Sequence, residues 1–219
     1  MYLYPDEITK DLIDIIKSDN RICKYLDMPI QHINNSVLKR MRRNTTSEDM
    51  FRTIATLREE LPGVHIRTSL MVGFPGETEE QFEELLEFVK KAELDSVGAF
   101  IYSNEALAWS SRLDSQIPEN VKAERYSRLM VAQSHVVFQS NRDKVKKKQM
   151  YDVVIDRISP GNRNRVAVTG RYFGQCPEVD GQVIINDIRR LGKLPLVGQR
   201  YQVQMTDFDK YDLIGRIIA

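Results

Sequence analysis

Along the first two-thirds of the chain, short apolar runs alternate with longer segments in which apolar residues recur every three or four positions. The short runs predict β-strands, and the longer segments predict amphipathic helices. This alternation is typical of parallel strands joined by crossover helices, so we expect an α/β fold that binds ligands at the carboxyl ends of its strands. The predicted strands are CKYLDMPI (23–30), VHIRTSLMVG (64–73) and SVGAFIYS (96–103), and the predicted helices are 6–18, 36–41, 45–61, about 118–147 and one beginning after Thr78.

Two helices carry clear start signals. Thr46 with Asp49 forms an acidic variant of the capping box, and Thr78 with Gln81 has the same spacing. A Pro-Gly pair at 62–63 predicts the end of the first of these helices. The apolar stripes expected to face the core are Ile8, Leu12, Ile15 and Ile16; Met50, Ile54, Leu57 and Leu61; and Phe82, Leu85, Leu86 and Val89.

The last 70 or so residues show a different pattern, in which short alternating segments are separated by turn residues. Five such segments predict a small OB-like antiparallel barrel. We therefore expect two domains, one covering residues 1–146 and the other covering residues 147–219. The predicted strands are MYDVVIDRI (150–158), RVAVTGRY (165–172), GQVIIND (181–187), QRYQVQMTDF (199–208) and YDLIGRII (211–218).

Composition narrows the class of protein without naming a function. A net charge of +1 gives no global signal for nucleic acid or membrane binding. No apolar run approaches the roughly 20 residues of a membrane span, and no signal-peptide pattern opens the chain. The two cysteines, Cys23 and Cys176, are far apart in the sequence, which fits a reducing cytoplasm and favours small buried side chains over a disulfide.

The segment GFPGET (73–78) lies between a predicted strand and a predicted helix, where glycine-rich turns often bind phosphate. It lacks the lysine of a phosphate-binding loop, and Glu77, Glu79 and Glu80 stand where an anion would bind. Spacing alone favours a tight structural turn. The functional alternative is close backbone approach to a flat ligand such as adenine, which glycine permits because it has no side chain.

Polar residues also follow the first predicted strand. Gln31 has donors and acceptors that suit a ribose or an amino-acid group, whereas His32 is more often structural than catalytic. Three arginines in RMRRN (40–44) usually form a solvated face, although one of them could fold inward and bind a carboxylate. We expect His65 and His135 to be structural, since no pair of histidines has metal-ligand spacing.

Taken together, the segments YLDMPIQHINNSVLKRMRRNTT, LPGVHIRTSLMVGFPGETEEQFEELLEFV and FIYS, with PEVDG near the C-terminus, resemble the radical S-adenosylmethionine methylthiotransferase family. The resemblance covers essentially the whole chain. It implies a partial radical S-adenosylmethionine (β/α) barrel, of which only the last strands are present, followed by a TRAM domain as the small β-barrel.

The resemblance also implies a cofactor for the glycine turn. In such barrels this turn lies against the adenosine of S-adenosylmethionine, a nucleoside beside which acidic residues are tolerable. Val72 and Gly73 are then expected to offer backbone groups and a flat surface. Ser69 faces inward earlier on the same strand and is expected to contact the ribose.

Three further residues are carried over from the family. Gln31 matches a ligand-contacting glutamine, and Arg43 matches an arginine that binds the methionine carboxylate. Tyr102, at the end of the next strand, is expected near the adenine. With Ser69 and the glycine turn, these residues complete the cofactor-binding set that the resemblance implies.

The chain departs from the family in two places. It has no CxxxCxxC motif for the radical cluster and no further cysteines for a second cluster. We therefore expect a C-terminal fragment, inactive alone, of an enzyme that uses S-adenosylmethionine and two [4Fe-4S] clusters. The second departure is IYSNEALAWS (101–110), where the family usually has Gly-Thr-Pro after Tyr-Ser.

The segments MPIQHIN and PEVDG favour the branch of the family that methylthiolates the β-carbon of an aspartate on ribosomal protein S-twelve. The alternatives are a tRNA methylthiotransferase of the MiaB type and a non-catalytic binding module that uses the TRAM barrel. From Met150 onward, ten basic and eight acidic residues neither demand nor exclude RNA. The expected partner is therefore S-twelve, with weak nucleic-acid binding at most and no membrane.

Overall fold

The computed structural model describes residues 3–160 and 166–218. The chain forms two compact units, Met1–Val136 and Val137–Ala219, and each is described by itself. The division between these units falls within a long helix. A domain boundary at residues 146 and 147 stays a sequence prediction.

The first unit is an α/β structure built on a parallel sheet with strand order β1-β2-β3. The α/β expectation is therefore confirmed, and the three strands lie within about two residues of the predicted bounds. Short 3-10 turns lie at Pro5–Glu7 and Trp109–Arg112. The elements are α1 (Lys10–Ser18), β1 (Tyr25–Gln31), α2 (Asn35–Arg40), α3 (Ser47–Glu60), β2 (His65–Val72), α4 (Glu79–Ala92), β3 (Ser96–Ile101) and α5 (Glu119–Lys146).

One face of this sheet packs against the helices. Ile66, Leu70 and Val72 of β2 are buried in a core that also contains the predicted stripes of α3 and α4. Because side chains alternate along a strand, Arg67 and Ser69 lie on the opposite face. Ser69, the predicted ribose contact, therefore lies on the face that does not pack against the helices.

Both predicted capping boxes are present. At the start of α3, Thr46 Oγ1 accepts a hydrogen bond from Asp49 N at 3.2 Å, and Asp49 Oδ2 accepts one from Thr46 N at 3.1 Å. Thr78 and Gln81 make the same reciprocal pair at the start of α4. These bonds satisfy amides that have no intrahelical partner, so the sequence alone indicates where both helices begin.

The first helix differs from its prediction. Thr9 caps α1, while Pro5–Glu7 forms a separate 3-10 turn, so the helix begins four residues later than expected. Ile13 and Ile16 are the buried residues, and Ile15 is 54% exposed. Ile8 and Leu12 are partly buried and pack against the core, so of the predicted stripe only Ile15 is wrong. The prediction started the helix in a segment that forms a separate turn, and it therefore missed Ile13.

The second unit is a closed five-stranded barrel with order β4-β5-β6-β8-β7, and all five predicted strands are present. It is not wholly antiparallel, since β6 pairs in parallel with β8. A closed ring of five strands cannot alternate in direction all the way round, so at least one neighbouring pair must be parallel. The strands are β4 (Met150–Pro160), β5 (Val166–Arg171), β6 (Val183–Asp187), β7 (Arg200–Asp209) and β8 (Asp212–Ile217); Arg165, the predicted first residue of the second strand, lies outside the described residues.

Candidate functional site

The turn that follows β2 binds its own carboxylate. Gly73 and Gly76 have φ values of +77° and +78°, which glycine adopts without strain. The buried Glu77 turns back so that its Oε2 accepts hydrogen bonds from Gly73 N at 2.6 Å and Phe74 N at 3.2 Å. An internal anion therefore occupies the position at which a phosphate would bind the turn.

A buried arginine from α5 completes this arrangement. Arg125 Nη1 donates to Glu77 Oε1 at 3.0 Å and to the Glu77 carbonyl at 3.1 Å, while Nη2 donates to Glu79 Oε2 at 3.1 Å. Burial raises the pKa of the Glu77 carboxyl, and the charge of Arg125 opposes that shift. Further along α5, Arg128 pairs with Glu79 and Glu83. Glu77 and Glu79, two of the three acidic residues at the turn, are thus bound by arginines of α5.

Lys122 on α5 covers the face of Gly73. Its ammonium group donates to the Tyr102 carbonyl at 3.1 Å and to Glu119 Oε1 at 2.7 Å, and the side chain is almost wholly buried. A Cβ atom built on Gly73 would lie 2.4 Å from Lys122 Cγ. In this structure the missing side chain of Gly73 therefore makes room for Lys122.

The three arginines near α2 have different partners. Arg40 folds inward, as the sequence allowed for one of them, and its Nη2 donates to the Gly76 carbonyl at 2.9 Å and to Gln81 Oε1 at 3.2 Å. Arg42 lies 4.1 Å from the centre of the Trp109 ring. These contacts hold α2 to the glycine turn and to the segment that follows β3.

Three residues of the predicted cofactor set have unused polar groups. Gln31 has φ +70° at the β-bulge that ends β1 and is half-buried. Ser69 is buried on the face opposite the helices, and Arg43 lies 4.7 Å from the ring centre of Tyr4. Within residues 3–160 and 166–218, none of these three side chains makes a hydrogen bond or ion pair.

The other three predicted residues are more enclosed. Val72 is buried, and its carbonyl accepts from Tyr102 N at 2.9 Å. Tyr102 is also buried, with its ring edge-on to Phe74 and its hydroxyl without a hydrogen-bond partner among the described residues. The amide of Gly73 is already bound to Glu77. Contact between these residues and a cofactor stays a prediction.

His32 is fully buried beside this turn. Its Nδ1 accepts from Asn34 N at 3.0 Å, so the neutral ring carries its hydrogen on Nε2. Burial, together with the charges of Arg40 and Arg125, lowers the pKa of His32 to about 3. A neutral structural role is favoured at physiological pH. Of the other two histidines, His65 lies in β2 and contacts Ser96 Oγ at 3.1 Å, whereas His135 is exposed on α5.

A charged pair that the sequence analysis missed lies on the same face as Ser69. Arg67 Nη1 donates to Asp27 Oδ2 at 2.6 Å, and both side chains are mostly buried. Gly98 lies beside them, since a Cβ atom built on it would be 3.2 Å from Arg67 Nη2. The register of β1 against β2 places Asp27 directly beside Arg67.

Metal-binding groups are scarce in the part of the chain that the structure describes. No three side chains of His, Cys, Asp or Glu are grouped there so as to hold a metal ion. Cys23 is exposed and Cys176 is half-buried, and they belong to different units. A [4Fe-4S] cluster needs a set of thiolates, which two cysteines cannot supply.

Family comparisons agree with both units. Residues 3–89 match the model described as Radical SAM superfamily, and residues 149–218 match the TRAM domain. Part of the chain is also similar in fold to part of a solved radical SAM enzyme, coproporphyrinogen III oxidase (HemN) from Escherichia coli. That match has a TM-score of 0.50 and 19% identity, and covers 64% of this chain and 32% of HemN. Residues 3–89 therefore belong to a radical SAM domain, and residues 149–218 form a TRAM domain.

Curated relatives narrow the family further. The chain is similar over its whole length to two proteins named ribosomal protein uS12 methylthiotransferase RimO. Identity is 50% to the protein of Protochlamydia amoebophila, 44% of whose length is covered, and 43% to that of Geobacter sulfurreducens, 47% of which is covered. The chain thus spans somewhat less than half the length of these relatives. Across its described residues, no helix has the length and apolarity needed to cross a membrane.

Proposed function

We propose that this chain is a segment of a radical SAM methylthiotransferase that modifies ribosomal protein uS12, the protein S-twelve named in the sequence analysis. The reaction would add a methylthio group to the β-carbon of an aspartate. Similarity to RimO proteins through both the radical SAM segment and the TRAM domain carries the proposal. A cytoplasmic location, expected for an enzyme that acts on a ribosomal protein, is part of the same proposal.

Three residues of the predicted cofactor set would offer polar groups to S-adenosylmethionine. Gln31, Ser69 and Arg43 have polar groups without protein partners among the described residues, and a ligand with hydroxyl, amino and carboxylate groups would satisfy them. Arg43 would pair with the methionine carboxylate, and Ser69 would hydrogen-bond the ribose. Val72, Gly73 and Tyr102 would form the wall beside adenine.

Together with a reduced iron–sulfur cluster, bound S-adenosylmethionine supplies the radical and the methyl group. We assign two [4Fe-4S] clusters to the enzyme, with their cysteine ligands outside this segment. The contribution of this segment is to bind and orient the cofactor and to exclude water from it. For that reason we expect the 219 residues alone to be inactive.

The TRAM barrel offers an acidic turn to a basic protein substrate. Asp180 Oδ2 accepts from Cys176 N at 2.8 Å, which closes the turn. Glu178 has φ +64°, and Val179 beside it is 56% exposed. Complementary charge favours encounter with a basic ribosomal protein. We propose that this turn contacts uS12, and that nucleic-acid binding by the barrel is weak.

The direct test is to incubate the reconstituted full-length enzyme with uS12 and follow the mass of the substrate. We expect replacement of one hydrogen by a methylthio group on a single aspartate, and no change in a uS12 variant in which that aspartate is alanine. Equal incubation with tRNA tests the alternative substrate. If tRNA is methylthiolated and uS12 is not, the enzyme is instead a tRNA methylthiotransferase of the MiaB type.

A further inference from the structure

We propose that Arg125 and Glu77 form a positioning pair, which fixes the peptide between Val72 and Gly73 in the orientation needed to receive the nucleoside of the cofactor. The inference rests on the proposed function, since it takes the cofactor to be S-adenosylmethionine. Neither residue is expected to touch the reacting atoms. They would act through the backbone of the turn.

The peptide between Val72 and Gly73 is held at both of its polar atoms. Its carbonyl oxygen accepts from Tyr102 N at 2.9 Å, which ties it to the end of β3. Its amide nitrogen donates to Glu77 Oε2 at 2.6 Å. Because a peptide unit is planar and rigid, these two bonds together set the direction of the plane.

Glu77 is itself oriented by Arg125. One carboxylate oxygen accepts from the Gly73 and Phe74 amides, and the other accepts from Arg125 Nη1 at 3.0 Å. The same Nη1 also donates to the Glu77 carbonyl. Both Glu77 and Arg125 are at least nine-tenths buried, so the orientation of the turn is set from α5, 48 residues further along the chain.

Stability alone is a weak explanation for this pair. Burying two charges carries a large desolvation cost, and replacing a buried ion pair with neutral residues is often close to neutral for stability. Removing one partner is different, because it leaves a buried charge without its counterion. A variant that neutralises both residues therefore separates positioning from folding.

The experiment compares wild type with Glu77→Gln/Arg125→Met, and uses Arg128→Met as a control for losing the more exposed ion pairs of α5. We expect the double variant to melt within a few degrees of wild type. In the 219-residue chain, the Gly73 and Phe74 amides should exchange with solvent at least about tenfold faster, since a charge-assisted acceptor has become neutral. In the reconstituted full-length enzyme, calorimetry should show at least about a tenfold higher Kd for S-adenosylmethionine. Arg128→Met should leave both values near wild type.

Positioning would be refuted by a folded double variant whose two amides stay protected, or whose Kd for S-adenosylmethionine equals that of a binding wild type. Wild-type enzyme with no measurable S-adenosylmethionine binding would instead refute the proposed function. If the double variant does not fold, Glu77→Gln alone decides the question, because Arg125 keeps the Glu77 carbonyl and Glu79 as partners. Faster exchange at Gly73 with weaker cofactor binding supports the inference, and unchanged values overturn it.

Discussion

Replacing Gly73 with alanine should destabilise the first unit through a specific collision. A Cβ atom at this position would lie 2.4 Å from Lys122 Cγ and 3.1 Å from Lys122 Cδ, well inside van der Waals contact. Lys122 cannot move freely, because its buried ammonium group is bound to the Tyr102 carbonyl and to Glu119. The substitution therefore forces either a backbone shift or the loss of a charged hydrogen bond.

The magnitude follows from two separate costs. Placing alanine at φ +77° costs about 1–2 kcal/mol. Displacing Lys122 adds roughly 1–3 kcal/mol, whether through overpacking or through loss of a hydrogen bond to a charged group. The total expected decrease in the free energy of unfolding is about 2–5 kcal/mol.

Gly63→Ala is a matched control, since Gly63 has φ +79° but no atom within 4 Å of a built Cβ. Gly63→Ala should lower the free energy of unfolding only by the cost of placing alanine at a positive φ. Urea unfolding followed by the fluorescence of Trp109, the single tryptophan of the chain, reports on the first unit. Equal losses for the two alanine variants would show that Lys122 does not restrict Gly73. Adding Lys122→Ala to Gly73→Ala should cost less than Lys122→Ala in wild type, because the collision has been removed.

Three further outcomes are expected. Arg43→Ala should weaken S-adenosylmethionine binding to the full-length enzyme by about 1.5–3 kcal/mol, and Ser69→Ala should weaken it by about 1 kcal/mol. Arg42→Ala is the control and should leave the affinity unchanged. If calorimetry gives the same affinity for all three variants, Arg43 is not part of the site. The pKa of His32 is about 3 in the folded protein, below its unfolded value of 6.5. Burying the neutral ring therefore costs no protonation energy above pH 6.5, and the protein loses stability as the pH falls from 6.5 towards 3. Between pH 6.5 and 5 the free energy of unfolding should fall by about 2 kcal/mol, at about 1.4 kcal/mol per pH unit. A folded His32→Gln variant should not show this fall in its urea midpoints. The isolated barrel, residues 147–219, should bind tRNA weakly or not at all near physiological salt. Tight binding with a log–log salt slope of roughly −4, expected for about six phosphate contacts, would contradict the choice of a protein substrate.

Local sequence signals were enough to predict most of the elements. Thr46 with Asp49, and Thr78 with Gln81, indicate where two helices begin, because capping bonds involve residues only three apart. The strands of both units were found from short apolar or alternating runs. Where a signal was misread, as at α1, the error came from choosing the wrong starting residue for a helical period.

The sequence by itself determined the alternation of strands and helices, the five strands of the barrel and the family resemblance. Each depends on the order of neighbouring residues, which can be read along the chain. It also located the glycine turn and noted its acidic flank. The sequence did not show which groups the acidic residues of the turn bind.

Only the tertiary structure decided which groups meet. Glu77 binds the amides of its own turn and Arg125 from α5, and Lys122 occupies the space beside Gly73. These contacts join residues up to 49 positions apart, and local propensity carries no information about pairs at such separations. In the barrel, closure of a five-stranded ring imposed the parallel pairing of β6 with β8, a constraint that belongs to the whole ring and to no single strand.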